Sequence, residues 1–150
     1  VDVLAANADL ADKFEFTFLG KGWEPMHERL LGAGWQCRLI TFAPDYAAEL
    51  CRHDVQLTPI SVGTGTKGKV LDAITNGLLV IGTPFALENI AVRHGVECLQ
   101  YERACEVPAL LRDIANDRRR HEAIAEAGRA AVLREHNRAR ASQALFGMFN

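Results

Sequence analysis

Gly63, Gly65 and Gly68 fall close together with Lys67 and Lys69, and an acid follows at Asp72. Glycine lets a backbone approach a ligand closely, and lysine supplies a mobile positive charge. Together they suit a phosphate or pyrophosphate if a helix begins here, because a helix N-terminus offers unpaired N–H groups and a positive dipole end. The flanking residues predict that helix. Val55, Leu57 and Ile60 suit a buried strand leading in. Val70, Leu71, Ala73 and Ile74 give the helix an apolar face, with Asp72 on a different side. Asn76 and Gly77 end it, since glycine accepts the left-handed conformation of a C-terminal stop. Leu78 to Ile81 read as a second buried strand. The stretch from Asp54 to Thr83 therefore predicts one βαβ unit.

Two nucleotide-binding patterns can be tested on this turn. A Walker loop requires Ser or Thr after Gly-Lys, and Val70 follows Gly68 and Lys69. The dinucleotide fingerprint Gly-x-Gly-x-x-Gly is met by Gly63, Gly65 and Gly68. It also wants a ribose-binding acid about twenty residues on, at the end of the next strand. That region reads Gly82, Thr83, Pro84, Phe85, Ala86 and Leu87, and Glu88 falls in the next loop or helix start.

The same stretch resembles the C-terminal domain of GT-B glycosyltransferases, of the large retaining family 4 type. The resemblance is carried by Asp54, Val55, Leu57 and Pro59, then Gly63, Gly65, Lys67 and Lys69, then Asp72 and Ala73, and finally Gly77, Val80 and Thr83. It implies a Rossmann-like parallel β-sheet sandwiched by helices, one half of a GT-B fold, with a helical C-terminus. It also implies transfer of a hexose-type sugar from a nucleoside diphosphate sugar to an acceptor, without a bound metal ion or other cofactor, in a setting such as polysaccharide biosynthesis. By the same resemblance Asp72 accepts hydrogen bonds from the donor's ribose, and Lys67 or Lys69 faces its phosphates. Backbone N–H groups from Gly63 through Thr64 and Gly65 to Thr66 approach the sugar or phosphates. Gly20, Lys21, Thr83 and Glu88 are expected on the rim of the site. Two positions depart from the family: Thr64 stands where many members carry a glutamate, and Asp72 replaces the more usual glutamate. The catalytic residues stay unassigned. Lys67, Lys69 and Asp72 also admit a plainer reading as solvated helix residues, and the glycines as a tight turn.

Composition fits a folded α/β domain. Hydrophobic residues make up 49% and charged residues 24% of the 150, which suffices for one domain with its own core. The net charge of −2 gives no basic field for nucleic acid. The run Arg118, Arg119, Arg120, His121 is interspersed with acids further along, which suits a solvated helix face; contact with anionic lipid or a partner domain is the other reading. Cys37, Cys51, Cys98 and Cys105 form no Cys-x-x-Cys pair, so reduced core thiols in a cytoplasmic domain are expected, with Cys37 and Cys98 in strands. No apolar run is long enough to span a membrane, so the membrane role expected is at most peripheral contact with its inner face.

Strands and helices alternate along the rest of the chain. Val1, Leu4, Ala5, Ala8 and Ala11 share a helical face. Strands are expected at Phe14 to Leu19, within Trp35 to Phe42, and at Val96 to Tyr101. Helices are expected at Pro25 to Leu31, Pro44 to His53 and Ala86 to His94. From Glu106 onward the chain reads as helix, with breaks near Asn116 and Asp117 and near His136 and Asn137. This alternation predicts a parallel sheet covered on both faces, with ligands at the C-terminal strand ends, where Gly20, Phe42, Ser61 and Thr83 fall.

Residues 1–150 are read as a single Rossmann-like domain, a fragment lacking its first strand and the N-terminal acceptor domain that the resemblance implies. The isolated chain is then expected to bind a nucleotide weakly and to transfer nothing. Apolar residues between Ala141 and Phe149 are expected to pack on a partner domain or to drive self-association, and the oligomeric state is left open. The competing readings are a sugar-nucleotide epimerase of GT-B shape, a non-catalytic Rossmann-like binding domain, and a nicotinamide-dependent oxidoreductase.

Overall fold

A computed structural model describes residues 1–63 and 67–147. The chain divides into two compact units, Val1–Glu49 with Arg103–Arg118, and Leu50–Glu102 with Arg119–Asn150. Both are parallel β-sheet flanked by helices.

In the first unit β1 (Glu15–Leu19) and β2 (Gln36–Ile40) pair in parallel, joined by α2 (Glu24–Gly32). Aromatic residues at alternate positions make the buried side of β1: Phe18 is buried, and its ring lies 4.9 Å from Phe16 and 5.8 Å from Trp23. Gly20 follows at φ 124°, a left-handed conformation that glycine alone adopts freely, and its N–H donates to the Ile40 carbonyl at 2.8 Å. Trp35 is buried, and its indole N–H donates to the Leu4 carbonyl at 3.2 Å. That bond ties α1 (Asp2–Ala5) to the core. The single N-terminal helix expected from the apolar spacing is two short pieces, α1 and a 3-10 turn at Ala8–Leu10. Asn7 divides them: its side-chain amide donates to the Val3 carbonyl at 2.7 Å, and its backbone leaves the helical region.

Asp45 opens α3 (Tyr46–Leu50) by accepting the Ala48 N–H, so that helix is shorter than Pro44 to His53. Back in the first unit, α6 (Val107–Asn116) buries Val107, Pro108, Leu111 and Ile114. Arg112 leaves its other side and forks onto Asp9 at 2.8 and 2.9 Å, with Asn7 accepting a third bond at 2.7 Å.

The second unit holds β3 (Val55–Thr58), β4 (Leu79–Gly82) and β5 (Leu99–Gln100), parallel in the order β3-β4-β5. All four residues of β4 are buried, as a central strand covered on both faces must be. Helix α4 (Lys67–Thr75) connects β3 to β4 and buries Val70, Ala73 and Ile74. Gly77 at φ 88° closes it, with the Gly77 and Leu78 N–H groups donating back to the Ile74 and Ala73 carbonyls at 3.0 Å each.

Three expectations fail here. The helix after β4, α5 (Pro84–Leu87), has one turn and does not reach His94. Asn89 stands at φ 61°, which no right-handed helix accepts. The expected strand from Val96 to Tyr101 is reduced to β5, because the preceding residues are wound into a turn. The N–H groups of Val96, Glu97 and Cys98 all point to the Arg93 carbonyl, and the Glu97 carboxylate takes the Arg93 N–H at 2.9 Å. The break near His136 and Asn137 is absent: α7 (Arg118–Gly147) runs through them. Neither residue bars a helix, and Glu135 pairs with Arg138 across the site at 3.3 Å. The expected break at Asp117 is present.

Close packing sets one position in α7. A Cβ on Gly128 would collide with the Glu97 carbonyl oxygen and touch Ile74. Gly128→Ala is therefore expected to destabilise the protein by on the order of 2 kcal/mol despite the better helix propensity of alanine. Urea unfolding checks this; an unchanged or raised midpoint would mean that α7 does not approach so closely. Acid should act on the first unit. The Arg112 guanidinium holds the Asp9 carboxyl below its usual range. Its contribution is thus complete above about pH 4 and is lost as pH falls through the lowered value. Asp9→Asn should be less stable than the wild type at pH 6, with the two acid-unfolding curves converging once pH falls below the lowered Asp9 value.

Candidate functional site

The segment after β3 passes through Pro59, Ile60, Ser61 and Val62 to Gly63, which is exposed at φ 117°. Thr83, directly after β4, holds this segment. Its hydroxyl donates to the Ile60 carbonyl and accepts the Ala86 N–H at 3.1 Å. One side chain thus pins the approach to the glycine turn and caps α5. Thr64, Gly65 and Thr66, expected to present N–H groups to a ligand, lie outside the described residues.

Lys67 is the first residue of α4, and its ammonium lies 3.6 Å from the Glu88 carboxylate. Lys67 and Glu88 are thus brought together from separate elements, with Thr83 at the other end of the single turn of α5 that precedes Glu88. Lys69 is exposed two residues on, which at 3.6 residues per turn places it on the opposite side of α4 from Lys67. Asp72 is exposed one turn after Lys69 and on the same side. The helix therefore separates the two lysines and groups Lys69 with Asp72. Gly20 and Lys21 belong to the other unit, at the C-terminal end of β1, where Lys21 is exposed.

Two supporting residues escaped the sequence reading. Gln56, on β3, donates to the Thr58 hydroxyl at 3.2 Å and to the Lys69 carbonyl at 3.4 Å, which fixes the start of α4 against the strand. A polar residue inside an apolar strand was the available signal. Arg129 of α7 donates to the Thr75 carbonyl at 3.0 Å, a cation placed at the negative end of α4. Asn76 completes that end through the Asp72 carbonyl at 2.7 Å.

Of the thiols, Cys98 is buried and burial pushes it up to about 11, so it is a core residue rather than a nucleophile. Cys37 is half-buried in β2, while Cys51 and Cys105 are exposed, contrary to the expectation of core thiols throughout. Among the described residues no three His, Cys, Asp or Glu side chains converge on a point where a metal ion could sit. No helix among them is long and apolar enough to cross a membrane.

A family model described as glycosyl transferase-like matches residues 2–146. The chain belongs to this family. No curated protein matches this glycosyl transferase-like domain. Among solved structures it is similar to the crystal structure of Anabaena Alr3699/HepE in complex with UDP. The TM-score is 0.69 at 16% sequence identity, over 95% of this chain and 44% of that one. The likeness is one of fold, and the chain spans less than half the length of that structure. The α/β architecture expected from the resemblance, one half of a GT-B fold with a helical C-terminus, is the one found.

The Thr83 bridge carries a test. Thr83→Val keeps the shape but removes both hydrogen bonds, and is expected to cost about 1–3 kcal/mol, whereas Thr83→Ser should recover most of the loss. Denaturant unfolding of the pair measures this; equal stability of Val and Ser variants would sink the bridging role.

Proposed function

We propose that this glycosyltransferase-type domain binds the donor, a nucleoside diphosphate carrying a hexose-type sugar, and that the acceptor is held by residues outside the chain. The observation that carries the reading is the family match over residues 2–146, within which the glycine turn opens α4 at Lys67. The solved structure of similar fold was crystallised with UDP, which supports a nucleoside diphosphate as the ligand class.

In this proposal the donor phosphates meet Lys67 and the N–H groups between Gly63 and Lys67. Lys69 and Asp72 serve the nucleoside on the side of α4 that they share, with the Asp72 carboxylate accepting the ribose hydroxyls. The leaving group gains negative charge as the sugar departs. A lysine and helix-end N–H groups already in place stabilise that charge without a metal ion, because they need no reorganisation when it develops. Thr83 is assigned to the rim of this site through the loop it holds. The chain alone is proposed to bind the nucleotide weakly and to transfer no sugar.

Ligand-observed NMR with UDP, GDP, dTDP, ADP and NADH tests this. One nucleoside diphosphate should saturate, and Asp72→Ala should weaken it about fivefold or more, as the loss of hydrogen bonds to a charged acceptor requires. Binding of NADH alone would overturn the reading in favour of an oxidoreductase.

A further inference from the structure

Glu88 is the one acid that meets a proposed phosphate-binding side chain among the ion pairs described, at 3.6 Å from Lys67. Its place is built rather than incidental. The Glu88 N–H donates to the Phe85 carbonyl at 3.4 Å, the Ile90 N–H donates to that of Leu87 at 3.2 Å, and Asn89 between them holds φ 61°. Thr83 ties the same corner to the loop that leads into the glycine turn. The Lys67 side chain is 37% exposed and that of Glu88 59%, so the pair itself contributes little and is easily exchanged.

A carboxylate beside a phosphate-binding lysine has opposite effects on two related ligands. The terminal phosphate of a bare nucleoside diphosphate is mostly doubly charged at neutral pH, because its second ionisation lies near pH 6. Once it takes Lys67, it leaves Glu88 without its cation and facing an anion. A phosphate esterified to a sugar carries one charge fewer. It also brings hydroxyl groups, which donate strong hydrogen bonds to a carboxylate. We propose that Glu88 makes the site favour a diphosphate that carries a sugar over the bare diphosphate, by accepting hydrogen bonds from the sugar beside Lys67. The inference rests on the donor-site reading above. Glu88 thereby acts as a specificity residue that opposes retention of the product after transfer.

The test compares four nucleotides with their sugar conjugates: UDP, GDP, dTDP and ADP against UDP-glucose, GDP-glucose, dTDP-glucose and ADP-glucose. Dissociation constants are measured by NMR on the wild type and on Glu88→Gln, which keeps the shape and removes the charge. For the base that binds, Glu88→Gln should tighten the bare diphosphate and leave the conjugate unchanged or weaker. The ratio of the two constants should then move by about threefold or more, the scale of one exposed charge pair. An unchanged ratio, with binding intact, overturns the role of Glu88 and leaves the donor site standing. Failure of all eight compounds to bind the wild type overturns both.

Discussion

Leu79, Val80, Ile81 and Gly82 have no exposed face, and the second unit is arranged to keep them so. A strand buried on both sides must satisfy its backbone through neighbours and its side chains through helices. Strands β3 and β5 meet the first demand and α4 contributes to the second. The end of β4 is equally constrained. Gly82 is so close to Leu87 that a Cβ would lie 3.1 Å from its side chain, which seats α5 tightly over the strand end. Thr83 then falls where one hydroxyl can reach both the Ile60 carbonyl and the start of α5. The approach to Gly63 and the start of α5 are thus tied to the end of the strand that is buried on both faces.

Much of this was legible in the residues. The βαβ unit from Val55 to Gly82 follows from an apolar run, a glycine turn, a helix of period 3.6 and a glycine stop, all pointing the same way. The helix opened by Pro25 was found for the same reason, to within a residue at each end, whereas those expected at Pro44 to His53 and Ala86 to His94 are shorter. The misplaced ends share a cause. Asn7, Asn89, and the Arg93 and Glu97 pair all replace backbone ladder bonds with side-chain or left-handed geometry. Periodicity of apolar residues carries no information about that competition.

The site was legible as a set of residue types but not as a geometry. Spacing alone placed Lys67 and Lys69 together, whereas the helix turns them to opposite sides. Nothing in the order of residues joined Lys67 to Glu88, because their meeting depends on how sharply the chain turns after Leu87. Gln56 and Arg129 were missed for a related reason: each acts on a carbonyl of α4 from a separate element, and although Gln56 is a polar residue inside an apolar strand, its residue type does not say which backbone group it reaches.

The distribution of indole rings has a practical consequence. Both tryptophans, Trp23 and Trp35, lie in the first unit, one half-buried and one buried. The second unit, with the glycine turn and all of β3, β4 and β5, contains none. Tryptophan emission is therefore a local reporter of Val1–Glu49. Far-ultraviolet circular dichroism, dominated by the long α7, weighs the other unit more heavily. Two optical signals recorded in one denaturant titration would thus show whether the two units melt together or one after the other.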